Sequence, residues 1–415
     1  MIYGANGYTG ELVAKLATER GQQPLLAGRS EEKLAPLAAR LGCRHVVVDL
    51  DSPTRLRSAL AEVDVVAHCA GPFSRTSRPM VDACLDTGTH YLDITGEIDV
   101  FEDVYSRHDE AEQAGVVLLP GAGFDVVPTD CLAAMLAGQL PGGVELELAF
   151  TMGGGISPGT LKTAIESLGS VGRSRVDGEL REVALGHRTV IADFASGPKR
   201  VTAIPWGDLS SAFRSTGIDT ITTYTVVPGG DLIGRGQQFL APFLRMPAVQ
   251  RAGLSLVDKL VKGPSDERQS AGKVEIWGRV RHVDGRAVTG TLTIPGAYSF
   301  TADAVVTAVA RLAAGTVPPG AHTPSSAFGA EFVTDLNGVR VGALPPGTKP
   351  SSPSSVSDPT GAAAPSGTPG TSGAGSPEPP SPEPPSAEAP SAERQSPESQ
   401  SPETPPPGAE APPAD

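Results

Sequence analysis

No apolar run in this 415-residue sequence is long enough to cross a bilayer, so a helical membrane-spanning protein is not expected. Nor does the chain open on a charged segment followed by an apolar one, so no secretory leader is expected. Cysteine is scarce: Cys43, Cys69, Cys84 and Cys131 lack the close pairs of a zinc site, and the chain is too long to depend on a disulfide framework. No metal is expected, and a reduced cytoplasmic setting fits these thiols. Clustered Lys/Arg stripes and aromatic–basic interleaving are also missing, which removes nucleic acid as a partner.

The formal net charge of −14 is unevenly spread, about half of it falling after Pro345, where Lys349 and Arg394 are outnumbered by carboxylates. That region is Pro, Ser, Gly, Ala and Glu, with a pentapeptide period from Ser376 to Ser401 that places Glu378, Glu383, Glu388, Glu393, Glu398 and Glu403 in step. Such a composition cannot bury a core and favours extended backbone, so residues 345–415 are expected to be a disordered spacer.

The first part alternates short apolar segments with amphipathic stretches. Strands are expected at 1–3, 24–27, 45–49, 63–69, 90–94 and 116–120, and helices at 11–20, 31–41, 54–61, 79–87 and 100–114. This rhythm predicts an α/β fold, a doubly wound parallel sheet of the Rossmann type over 1–130. Residues 131–300 read as a second, mixed α/β domain for substrate or dimerisation. It has a helix at 131–140, a strand at 145–150, a helix after Ser157, a strand at 220–227, and a hairpin of 273–282 with 287–294 across Asp284-Gly285. A last helix at 302–314, capped at Thr301, opens a 301–344 extension expected to pack back on the first domain.

Gly4, Gly7 and Gly10 stand between the first strand and the first helix, where glycine lets backbone amides approach a pyrophosphate at a helix N-terminus. Arg29 and Ser30 end the second strand at the position where NAD enzymes carry an acid; a guanidinium there suits the 2′-phosphate of NADP(H). The fourth strand ends in Cys69-Ala70-Gly71-Pro72-Phe73, whose small residues could pass beside a nicotinamide ribose with Phe73 as a wall. Asp49 ends the third strand near the expected adenine edge. At the ends of the fifth and sixth strands, Tyr91, Asp93, Glu97, Asp125 and Asp130 are candidate proton donors, each equally readable as a cap or turn residue. Residues 232–262 set Phe239, Phe243 and Leu256 beside Arg235, Arg245 and Lys259. This stretch suits a peripheral membrane contact at the inner face of the plasma membrane or the flank of an acyl site, and equally ordinary helix packing or a homodimer contact.

The segments GANGYTG, AGRS, CAGPFSRT, ACLDTGTHYLDITGE, LLPGAGFDVVPTDCLA, IPWGDL and STGI occur in order. In them the chain resembles the saccharopine dehydrogenase-like oxidoreductases, in the branch that includes trans-acting enoyl reductases of polyketide-lipid assembly. The resemblance runs to about Leu344. It implies NADP(H) bound by Gly4, Asn6, Gly7, Tyr8, Thr9, Gly10 and Arg29, and reduction of a carbon–carbon double bond on a carrier-bound acyl-lipid intermediate in glycolipid synthesis. A saccharopine-type imine/amine oxidoreductase and a non-catalytic NADP-binding protein are the competing readings. Only Met1, Ile2 and Tyr3 precede the glycine turn, fewer than the family's first strand holds, which predicts a natural start upstream.

Because the tail adds no core, truncation after Leu344 is expected to leave NADPH affinity unchanged in a fluorescence titration. A truncated chain that fails to fold would contradict this boundary.

Overall fold

Each short apolar segment near the N-terminus is followed by a helix that returns the chain to the same edge, so the strands add in parallel. The computed structural model describes residues 1–151, 172–227 and 272–342. Strands β1 (Ile2–Tyr3), β2 (Leu26–Gly28), β3 (His45–Val47), β4 (Val65–His68), β5 (His90–Asp93) and β6 (Val117–Leu119) form one parallel sheet. Its order is β6-β5-β4-β1-β2-β3, with a seventh strand, β15 (Gly320–Ala321), beside β6. Central β1 pairs with both β2 and β4, and the Met1 amino group donates to the Val65 carbonyl.

Helices α1 (Tyr8–Glu19), α2 (Glu31–Leu41), α3 (Pro53–Leu60), α4 (Phe73–Thr87), α5 (Ile98–Ser106) and α6 (His108–Ala114) fill the connections. Three differ from the expectation. α1 starts at Tyr8, three residues early. α4 begins at Phe73, with Pro79 inside it, because the Glu97 carboxylate accepts the Phe73 and Ser74 amides at 2.8 and 2.9 Å. The helix expected at 100–114 divides at Arg107, whose guanidinium is drawn to Asp82 and Glu110.

The chain then enters a second sheet through α7 (Val127–Gln139), which starts earlier than expected because Pro128 suits a first turn where an amide is dispensable. Strands β7 (Gly143–Phe150), β8 (Gly172–Val176), β9 (Glu179–Val183), β10 (Thr189–Phe194), β11 (Gly197–Ala203), β12 (Thr220–Thr225), β13 (Val274–His282), β14 (Ala287–Ile294) and β16 (Arg340–Val341) form a mixed nine-stranded sheet. Only the β7–β12 pair is parallel; β13 and β14 are the expected hairpin. One face packs Leu146, Leu148, Ile276, Val280 and Leu292 into the main core. A Cβ at Gly278 would lie 2.8 Å from Leu136, so α7 sits closely on that face.

On the opposite face cross-strand registry pairs Arg279 with Glu147 and Arg281 with Glu145. The fully buried Glu147 also accepts from the Tyr224 hydroxyl at 3.1 Å and meets Arg188 at 3.3 Å. A one-residue slip would strand these charges, so the network fixes register as well as charge balance.

Helix α8 (Asp208–Thr216) precedes β12, and α9 (Ala297–Ala313) follows β14 to pack on α1, where Asp303 pairs with Arg20. α9 starts a turn before Thr301; Thr301 caps nothing and instead accepts the Phe124 amide at 3.0 Å. Beyond β15, α10 (Pro324–Phe328) opens with a capping box formed by Thr323 and Ser326. The helix expected after Ser157, the amphipathic stretch 232–262 and the tail 345–415 lie outside the described residues. Among those described, all four cysteines are free and no helix is long and apolar enough to cross a membrane.

Two fully buried acids meet where α7 and α8 pack: Asp130 keeps one oxygen unpartnered and Asp208 both. Burial, then the neighbouring Asp130 and Asp125 carboxyls, push Asp208 well above the usual carboxylate range. A raised folded value means that this group's contribution to stability is whole below its unfolded value, near 4, and is lost as pH rises through the folded one. Asp208→Asn should therefore melt higher than wild type at neutral pH, by about 1–3 kcal/mol, with the gap shrinking toward pH 4. A gap that does not change with pH in thermal melts would show that the carboxyl is not desolvated.

Candidate functional site

The carboxyl ends of β1, β2 and β4 open on a cleft of about 370 Å³. Its floor is the glycine turn. Gly4 has φ +79°, a left-handed conformation that puts its carbonyl under α1, where the Gly7 amide donates to it at 2.9 Å. A Cβ at Gly10 would stand 2.3 Å from that carbonyl, so α1 can approach β1 this closely only with glycine there. α1 thus begins directly after the cleft-lining Gly4, Asn6 and Gly7, which places a helix N-terminus at the cleft, as an anion site requires.

Of the residues expected at the cofactor, Gly4, Asn6, Gly7, Arg29, Ser30, Ala70 and Gly71 line this cleft. Tyr8, Thr9 and Gly10 form the first turn of α1 instead, and the Tyr8 ring meets Tyr298 of α9 edge-on at 4.8 Å. Pro72 is the N-cap of α4 and Phe73 its first residue, with Phe73 edge-on to His68 at 5.4 Å. Asp49 is not at the wall: its carboxylate accepts the Asp51 amide at 3.1 Å and closes the turn before α3.

Cys69 lines the cleft as well, with Tyr3, Gly28 and Lys33, which were not singled out from the sequence. Lys33 stands in the first turn of α2 and joins Arg29 at the cleft. Neither Arg29 nor Lys33 forms a salt bridge with a described acid, and the nearby Glu31 turns away to His45 at 3.1 Å. Burial pushes the Cys69 thiol up to about 12, so it is a wall and not a nucleophile. Behind it, buried His68 is pushed down to about 3 and stays neutral, its Nε2 at 3.0 Å from the Thr76 hydroxyl, which itself donates to the Ala70 carbonyl.

The candidate proton donors separate by environment. Tyr91 is fully buried and its hydroxyl donates to Asp93 at 2.5 Å, which removes it from any substrate's reach. Asp93 also accepts the Thr95 and Gly121 amides, tying the turn after β5 to the turn after β6, and burial raises it to about 6. Glu97 caps α4. Asp130 faces α10, accepting the Ser325 amide at 2.8 Å, far from open solvent.

Asp125 alone among them is half-buried and receives no hydrogen bond to its carboxyl from a described residue; desolvation raises it to about 6. The turn after β5 crowds it, since a Cβ at Gly96 would lie 2.9 Å from its Oδ2. Trp206, from the segment leading into α8, donates its indole N–H to the Asp125 carbonyl at 2.7 Å. Trp206 was not anticipated as a site residue, although its segment was among those carrying the resemblance. Among the described residues His108, Asp109 and Glu112 could converge on a cation, but His108 Nδ1 accepts the Ala321 amide, leaving Nε2 to carry the ring proton in the neutral form.

Residues 1–119 match the family described as saccharopine dehydrogenase NADP binding domain. A saccharopine dehydrogenase-like oxidoreductase of Rattus norvegicus is 29% identical over 212 residues, 44% of this chain and 48% of that protein. A trans-acting enoyl reductase of Mycobacterium leprae is 35% identical over 138 residues, 31% of this chain and 33% of that protein. The chain thus spans about half the length of the first relative and about a third of the second. The solved saccharopine dehydrogenase (L-Glu forming) of Saccharomyces cerevisiae shares the fold, with a TM-score of 0.58 at 13% identity over 82% of this chain and 99% of that one. Residues 1–119 therefore form an NADP-binding Rossmann domain of the kind found in saccharopine dehydrogenases.

Hydrogen bonds to a charged group contribute about 1.5–3 kcal/mol. Arg29→Ala and Lys33→Ala should each weaken NADPH binding by roughly 10- to 100-fold while leaving NADH affinity nearly unchanged. Equal loss of both nucleotides in a fluorescence titration would place the two cations away from the 2′-phosphate.

Proposed function

We propose that the protein is an NADPH-dependent enoyl reductase acting on an unsaturated acyl intermediate of lipid assembly, with Asp125 as its proton donor. The observation that carries the reading is Asp125 itself: a half-buried carboxyl, raised to about 6 by desolvation, unengaged by any described side chain and beside the cofactor domain's open strand ends. The cleft suits the dinucleotide, because glycine at 4 and 10 lets the N-terminus of α1 close on β1 at the cleft floor and Arg29 and Lys33 offer two cations without acidic partners among the described residues.

When bound, NADPH supplies a hydride to the carbon β to the acyl carbonyl. The chain's own task is then to hold the pyrophosphate on the first turn of α1, hold the 2′-phosphate between Arg29, Ser30 and Lys33, and deliver a proton to the α carbon from the Asp125 carboxyl. A raised acid can do this near neutrality because a useful fraction remains protonated. Reduction of an imine between an amino acid and a keto acid would also require cations for two carboxylates. Four buried or half-buried guanidinium groups of the second sheet are already committed, Arg188, Arg279 and Arg281 to Glu145 and Glu147, and Arg175 to Glu102.

With 2-enoyl thioesters and NADPH followed at 340 nm, kcat/KM should fall as pH rises through about 6, the sign required of a group that works protonated. Asp125→Asn should lower kcat by roughly 10²- to 10⁴-fold with NADPH affinity intact. Turnover with a keto acid and an amine but not with enoyl thioesters would replace this reading with the imine one.

A further inference from the structure

Three aromatic rings from three separated segments meet beside Asp125. Phe124 precedes it in the chain, Phe150 ends β7, and Trp206 leads into α8. Phe124 and Phe150 stand edge-to-face at 5.9 Å, and Phe150 and Trp206 are 4.7 Å apart, tilted by 44°. Phe150 is buried whereas Phe124 and Trp206 are half-buried, so two of the rings keep surface that the protein itself does not cover.

We infer that Phe124, Phe150 and Trp206 form the wall that takes the acyl chain, with Trp206 the residue that sets preference for long apolar substrates. The inference rests on the enoyl reductase reading.

The wall is held in place by hydrogen bonds of the Phe124 amide and the Trp206 indole and by packing of all three rings against the main core. The indole N–H of Trp206 is used on the Asp125 carbonyl at 2.7 Å, so the ring has no polar atom left for a ligand and can read only shape and apolarity. That same bond fixes the indole to the backbone of the proton donor, so a chain laid on the ring has its reacting end directed to Asp125. Phe124 is fixed by its amide, which donates to Thr301 at 3.0 Å. After Trp206, a Cβ at Gly207 would lie 2.6 Å from Phe101 and 3.2 Å from Val126, so the backbone carrying the indole is packed tightly against the first domain. No described cation pairs with Asp125, and desolvation alone accounts for its raised value, which makes the surroundings suit an uncharged chain better than a carboxylate.

The test is a chain-length series of 2-enoyl thioesters, from butenoyl to dodecenoyl, with NADPH titration as the check on folding. For the wild type, kcat/KM should rise with length, mainly through KM. Trp206→Ala should reduce kcat/KM on dodecenoyl at least roughly 10-fold more than on butenoyl, whereas Trp206→Phe, which keeps an apolar ring, should retain most of the length preference. Equal loss at every length in Trp206→Ala, or a wild type indifferent to length, would overturn the wall while leaving the reductase standing. Absence of turnover on every enoyl thioester by a protein that still binds NADPH would sink the reductase reading and the wall with it.

Discussion

The approach of α1 to β1 governs the cofactor side of the molecule. With 2.3 Å between the Gly4 carbonyl and the place where a Cβ of residue 10 would be, the helix can sit on the strand only because that carbon is missing. The separation sets where the first-turn amides point, and it also seats the buried face of α1, Val13, Ala14 and Ala17, against the sheet. α9 in turn leans on α1. The same contact therefore serves phosphate binding and the attachment of the segment that returns from the second sheet.

On the other side of the cleft, acids take over as fasteners. Asp93 joins the turns after β5 and β6, Glu97 caps α4, and Asp130 holds the start of α10. A carboxylate that accepts two or three amides in a buried place is largely repaid for its desolvation, and such groups are not available for chemistry. Asp125 stands out against them by lacking such donors. Environment, and not residue type, separates Asp125 from its neighbours.

Much of the parallel sheet was legible because its strands are short apolar runs punctuated by glycine and because helix periodicity between them is strong. The division at Arg107 and the early start of α4 were not, since both are decided by side chains distant in sequence, Asp82 and Glu97. Strands β8 to β11 carry little apolar alternation; β9 is largely exposed, so no period-two signal marks it. In the cleft, the glycines and Arg29 announced themselves through local spacing. The choice among Tyr91, Asp93, Glu97, Asp125 and Asp130 could not be made from sequence, because it depends on which carboxyl meets a backbone amide in three dimensions.

The seventh strand of the parallel sheet comes from residues 320–321, after the whole second sheet save its last strand has been laid down. During synthesis the open side of β6 accordingly waits, without its partner, until some two hundred further residues have emerged. An exposed parallel edge is a template for illegitimate pairing, and a nucleotide domain completed last by a distant segment is vulnerable to exchange of that segment between nascent chains. The covering of β6 by α6 and the returning C-terminal extension ties the integrity of the first domain to the segment that follows the second sheet, so that emergence of residues 320–321, not of the glycine turn, marks the point at which the first sheet is closed.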